Sequence, residues 1–178
     1  MTAICVYCAS GPVPQHYLDL AADLGTALGE AGHTLVSGGG NVSMMGAVAA
    51  ATRAAGGKTV GIIPGHLVDR EAADRDSDEL VVTETMRERK RLMEERADGF
   101  ITLPGGIGTL EELFETWTGG FLGEHDKPVV VLDADGFYQP LLRWLTDLQG
   151  AGFVAAEALE RLQIAQSVAD AMALVTRK

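Results

Sequence analysis

Cysteine is nearly missing from this chain: two in 178 residues, Cys5 and Cys8. Two thiols build no disulfide framework, and with no further cysteine a zinc site of four cysteines is excluded. Basic side chains are also in short supply, 14 Lys and Arg against 25 Asp and Glu, for a net charge of −11. A non-specific nucleic-acid binder needs the opposite sign, so no nucleic-acid partner is expected. No apolar run approaches the ~20 residues of a membrane helix, and no membrane partner is expected. The opening Met1-Thr2-Ala3-Ile4-Cys5 carries no basic stretch of the kind that starts a signal peptide. The expectation from these absences is a cytoplasmic protein. Proline is scarce at 6, and the four histidines His16, His33, His66 and His125 show no ligand spacing.

Glycine, by contrast, is plentiful at 22 residues, and 47% of the chain is hydrophobic. The second figure excludes a disordered chain. The length predicts one domain over 1–178, able to bury ~70% of its unfolded surface. Apolar runs alternate with helical stretches. Strands are predicted at Ala3–Cys8, Thr34–Val36, Thr59–Ile63, Leu80–Thr83, Phe100–Leu103, Val129–Leu132 and Leu162–Ala165. Helices are predicted at Gln15–Glu30, Met44–Ala55, Thr85–Ala97, Thr109–Leu122, Tyr138–Gln149 and from Val168, with Leu67–Glu79 polar and irregular. This alternation predicts βαβ units: an α/β, Rossmann-like three-layer domain with a parallel sheet. Runs such as Val129-Val130-Val131-Leu132 suit strands buried on both faces. A ligand is expected at the carboxyl ends of the strands, where Ala9-Ser10-Gly11, Gly38–Gly40 and Pro104–Gly108 fall.

Pro104-Gly105-Gly106-Ile107-Gly108-Thr109 is the strongest motif. Its glycines free the backbone to curl, Thr109 is positioned to cap the next helix, and the helix N-terminus favours phosphate. Glu111, Glu112 and Glu115 crowd the following turns. They either offset the helix dipole or, in the case of Glu112, look into the same cleft. Ser37-Gly38-Gly39-Gly40-Asn41-Val42-Ser43 fails the dinucleotide fingerprint because position 43 is Ser. Gly57-Lys58-Thr59 fails the P-loop pattern, since Thr52 replaces the required glycine. Five of the 14 basic residues fall within positions 87–96, on one helix beside the glycine loops. They form either a solvated face or a phosphate contact. Cys5 and Cys8 lie in one strand on opposite faces and read as buried hydrophobes rather than a redox pair. Asp133-Ala134-Asp135-Gly136 reads as a turn, not a metal loop.

Pro104-Gly105-Gly106-x-Gly108-Thr109-x-x-Glu112 resembles the signature of the LONELY GUY (LOG) family. Met86-x-x-Arg89-Lys90 is similar to that family's second motif, and Gly38-Gly39-Gly40 through Met45-Gly46 to its upstream glycine turn. The resemblance implies a Rossmann-like fold and a homodimer with active sites near the subunit interface. It also implies hydrolysis of cytokinin riboside 5′-monophosphates to free base and ribose 5-phosphate. Arg89 and Glu112 would be the catalytic pair. Gly105, Gly106, Gly108 and Thr109 would hold the phosphate, with Lys90 beside the site. Gly39, Gly40, Met45, Gly46 and Ser10 complete the expected substrate contacts. No metal and no cofactor enter this scheme. Departures at Arg87, Gly65-His66, Gly119 and Phe121 are expected to surround the base pocket. The alternatives are a nucleotide-binding sensor or carrier without turnover, and a structural oligomer.

Overall fold

The computed structural model describes residues 2–69 and 71–177; Met1 of the opening segment, Arg70 of the irregular segment and Lys178 at the end of the predicted domain lie outside them. The chain runs β1 Ala3–Tyr7, α1 Gln15–Glu30, β2 Thr34–Ser37, α2 Ser43–Ala54, β3 Lys58–Pro64, β4 Glu79–Thr83, α3 Met86–Arg96, β5 Gly99–Thr102, α4 Ile107–Leu122, β6 Val129–Leu132, α5 Gln139–Gly150, α6 Ala156–Arg161, β7 Leu162–Ala165 and α7 Val168–Val175. Among the described residues seven strands form one sheet in the order β4-β3-β2-β1-β5-β6-β7. Every neighbouring pair is parallel.

Alternation along each strand divides the core in two. Ile4 and Val6 of β1 face a cluster with Leu24 and Leu28 of α1, Val48 of α2 and Ala171 of α7. Cys5 and Tyr7 face the other cluster, with Met93 of α3, Leu113 and Trp117 of α4, Leu145 of α5 and Ala158 of α6. The same split holds in β6: Val130 and Leu132 go one way, Val129 and Val131 the other. These are the three layers expected. Cys5 and Cys8 are buried, free thiols in opposite clusters.

The strand order reverses at β1, which pairs with β2 on one side and β5 on the other. A crevice opens at such a switch point, outside the strand ends. Two helices differ from the sequence expectation, and one segment expected to be irregular bears on the crevice. The helix expected from Thr109 starts at Ile107, with Gly106 as its N-cap. The six-residue α6 has no counterpart among the predicted helices. The irregular segment between β3 and β4 begins with a single 3-10 turn at Gly65–Leu67 and folds back over the Gly38–Asn41 turn.

Candidate active site

The cleft at the switch point has a volume of about 500 Å³, within the range of small-molecule sites. Its floor and walls come from the turns after β1, β2, β5 and β6 and from the facing ends of α3 and α4. Of the expected residues, Arg89, Glu112, Gly105, Gly106, Gly108, Thr109, Met45 and Ser10 line it.

Arg89 sits in the first turns of α3. Thr85 accepts a hydrogen bond from the Glu88 amide at 3.1 Å, and Glu88 accepts one from the Glu84 amide at 2.9 Å, which fixes where the helix begins. The Arg89 guanidinium is buried. It donates to the Gly38 carbonyl at 3.0 Å and the Ile62 carbonyl at 3.1 Å. Gly38 is a glycine for a physical reason: a Cβ there would collide with Arg89 Nη2.

Glu112 lies on the second turn of α4, half-buried in the cleft wall. Burial pushes its carboxyl up to about 7; the Arg89 guanidinium pulls the other way, and the carboxylates of Glu111 and Glu71 add to the rise. A carboxyl near neutrality suits proton transfer.

The glycine loop works differently from the expectation. No described side chain caps α4, so Thr109 is not a cap. Thr109 is buried in the first turn, and its Oγ1 would collide with a Cβ at Gly105. Gly105 therefore makes room for Thr109. Gly106 and Gly108 border open space, so the first-turn backbone faces the cleft unobstructed. Uncapped N–H groups and the positive end of the dipole make an anion seat there.

Four expected contacts lie elsewhere. Lys90 does not line the cleft; it is held by Glu111 and, at 2.7 Å, by Glu115, and is nearly buried between them. Burial lowers the Lys90 pKa, but the two carboxylates outweigh it and the net shift is upward. Gly39, Gly40 and Gly46 also lie outside the lining. Gly39 adopts φ +74° and packs against β3, where a Cβ would meet the Ile62 amide at 3.0 Å. Gly40 pairs with Ala73, and Gly46 abuts the Asn41 carbonyl. These glycines shape the turn rather than face the cleft. Nor do Arg87, Gly65, His66, Gly119 or Phe121 line it. Gly119 borders a separate hollow on the outer side of α4 with Phe114, Thr118 and Leu122.

Two lining features escape a reading of the sequence. Glu71 comes from the irregular segment, which is tied over the glycine turn by Asn41 N–Glu71 O at 3.1 Å, Asp74 N–Gly39 O at 2.8 Å and the Arg53–Asp74 ion pair at 2.7 Å. Its Oε2 is buried without a hydrogen-bond partner, 3.6 Å from Arg89 Nη2. No periodicity marks Glu71 among the acidic residues around it. The second feature is an apolar end formed by Pro12, Val13, Tyr17, Ile107 and Phe137, with Tyr17 and Phe137 in edge contact at 5.8 Å.

A parallel sheet with its cleft at the strand-order reversal defines the Rossmann-like class of α/β proteins, here with an anion seat beside a carboxylate and a guanidinium. Solved structures agree on the fold. A molybdenum cofactor binding protein from Rippkaea orientalis superposes with a TM-score of 0.73 at 23% identity, over 98% of this chain and 94% of that one. The molybdenum cofactor carrier protein of Chlamydomonas reinhardtii gives 0.72 at 22% identity, over 99% of each. A family model described as "Possible lysine decarboxylase" matches residues 45–175. The cytokinin riboside 5′-monophosphate phosphoribohydrolase of Mycobacterium tuberculosis is 55% identical over 169 residues, 95% of this chain and 90% of that protein. The rice enzyme of that name, LOG, is 44% identical over 156 residues, 87% of this chain and 64% of that protein. The chain belongs to the LONELY GUY (LOG) family.

The decarboxylase description does not fit the cleft. Pyridoxal-phosphate chemistry needs a lysine for the Schiff base, and among the described residues no lysine lines the cleft. No helix is long and apolar enough to cross a membrane among the described residues.

Proposed function

We propose that this protein hydrolyses the N-glycosidic bond of purine nucleoside 5′-monophosphates, AMP or N6-modified AMP such as cytokinin ribosides, giving free base and ribose 5-phosphate. The observation that carries this reading is Glu112 beside Arg89 at the uncapped, glycine-lined start of α4. The names of the relatives at 55% and 44% identity support it.

The phosphate takes the seat at Gly105–Thr109. As the C1′–N9 bond breaks, its electron pair leaves with the base, which takes up a proton from solvent, and positive charge grows on the ribose. The Glu112 carboxylate stabilises that charge and accepts a proton from the water that attacks C1′. Arg89, locked by two carbonyls, fixes the sugar-phosphate from the opposite wall. A carrier without turnover, the second reading, needs the phosphate seat but not the carboxylate.

The test is the rate of ribose 5-phosphate or ribose release from AMP, isopentenyl-AMP and adenosine. The nucleotides are expected to exceed adenosine by at least about 10²-fold in kcat/KM, because only they use the preorganised donors of the loop. Equal values for AMP and adenosine remove the phosphate role. AMP binding with no release of ribose 5-phosphate from either nucleotide favours the carrier.

The protein is further proposed to act in the cytoplasm as a homodimer, without nucleic-acid or membrane partners. The hollow on α4 mixes Phe114 and Leu122 with the carboxylates of Glu111, Glu115 and Glu124, so the dimer reading rests on kinship with the LOG family and not on an apolar patch. Light scattering is expected to give twice 18.8 kDa at micromolar concentration; the monomer mass would require one chain to complete the site.

A further inference from the structure

We infer that Tyr138 is a positioning residue for the loop Pro104–Gly108, acting through the Leu103 carbonyl. Tyr138 does not line the cleft and is 2% exposed. Its hydroxyl donates to the Leu103 carbonyl at 2.7 Å, at the point where the chain leaves β5 for the loop. Burial pushes the hydroxyl pKa far up, so it stays a proton donor at every pH of interest.

A loop with three glycines in four positions has little side chain of its own to hold it. Its entry is pinned by the Leu103 amide to the Tyr7 carbonyl at 2.9 Å, the Ala9 amide to the Pro104 carbonyl at 3.2 Å, and Tyr138. Of these three, only the Tyr138 bond comes from a side chain. Tyr138 is itself held. Asp133, fully buried, accepts from the Tyr138 amide and from Gln139 Nε2, each at 2.8 Å. The neighbouring Phe137, 4.9 Å away ring to ring, forms part of the cleft wall. The turn between β6 and α5 thus sets one wall directly and the phosphate loop through one hydrogen bond. Since the N–H groups of a preorganised seat must converge on one anion, a shifted entry weakens them together.

The test is Tyr138→Phe, which keeps the ring and removes the donor. Calorimetry with ribose 5-phosphate should show its Kd raised roughly tenfold, with adenosine binding unchanged. AMP turnover should fall through KM more than kcat. A merely structural role would lower Tm and the active fraction while leaving the Kd values of the folded protein as they were. An unchanged ribose 5-phosphate Kd in folded Tyr138→Phe overturns the inference. Should that variant fail to fold, Asp133→Asn carries the test. It disturbs one of the two bonds that hold the turn, so a smaller rise in the same Kd is expected, and no rise overturns the inference. The turnover readout rests on the proposed hydrolysis; the calorimetric one does not. A wild-type protein that binds ribose 5-phosphate but never cleaves AMP defeats the proposed function and leaves the role of Tyr138 to be decided by Kd.

Discussion

Glu112→Gln is expected to lower kcat by roughly 10²–10⁴-fold while the Kd for AMP stays within a few-fold of wild type. The substitution keeps shape and hydrogen-bonding capacity and removes only the charge. Bound AMP carries its charge on the phosphate, and a nearby carboxylate does not help hold it. The transition state differs, because the ribose becomes positive and the water must lose a proton. With the Glu112 carboxyl raised to about 7, wild-type turnover should climb as pH rises through about 7 and then level off. The Gln variant should lose that limb. Stability should move the opposite way. An unfolded Glu releases its proton near 4.3, whereas the folded protein keeps it until about 7. The folded state therefore binds more protons between those values and loses stability as pH rises through them. Above pH 7 the variant should be the more heat-stable protein. Steady-state rates, equilibrium binding and melting curves across pH 5–9 decide it. Near-normal turnover in folded Glu112→Gln would leave Glu112 a dipole-compensating residue and make the carrier reading the better one.

The second large effect belongs to Arg89. Arg89→Ala should weaken AMP binding and turnover together, with kcat/KM down by about 10²–10³-fold. It also strips the Gly38 and Ile62 carbonyls of a charged donor, at a cost of ~1–3 kcal/mol in stability. Because Arg89 pulls the Glu112 carboxyl down, the pH limb should shift above about 7 in the variant. Arg89→Lys separates the contributions. A lysine keeps the charge but cannot span both carbonyls in a fixed plane. Its limb should stay near the wild-type position while affinity still falls. If Arg89→Ala binds and cleaves AMP as wild type does, the guanidinium only pins the glycine turn.

Much of this architecture is written locally in the chain. In a doubly covered parallel sheet each strand is a short apolar run, and β6, with alternate residues in opposite clusters, shows why no polar residue interrupts it. The glycine loop is legible because its spacing is local to one strand-helix junction. Arg89 and Glu112, by contrast, are singled out as a pair by the resemblance of their motifs to the LOG family, since spacing alone leaves each with a solvated or dipole-offsetting reading. The start of α4 is misplaced by sequence because a threonine after glycines reads as a cap, whereas here it fills the space that Gly105 leaves. The short α6 is too brief for a helical period to emerge. Consecutive glycines look alike in sequence. Only packing shows that Gly38 yields to a guanidinium while Gly39 bends the chain against β3. Glu71 reaches the cleft by a long-range fold-back of an aperiodic segment, which no local pattern encodes.

Lys90 follows Arg89 on α3, and Glu111 precedes Glu112 on α4. The cation that grips Glu111 and Glu115 is therefore a strut fastened one residue away from each of the two groups proposed to do the chemistry. Two helices free to slide past each other would let the gap between guanidinium and carboxylate breathe with every thermal fluctuation. Cross-bracing makes that gap a matter of stiffness set next door, by a side chain that never faces the cleft. The Lys90 side chain is only 14% exposed, but Glu111 and Glu115 are half exposed, so salt reaches the brace from their side. The spacing of guanidinium and carboxylate is in this way coupled to the ionic surroundings through two half-exposed glutamates of α4.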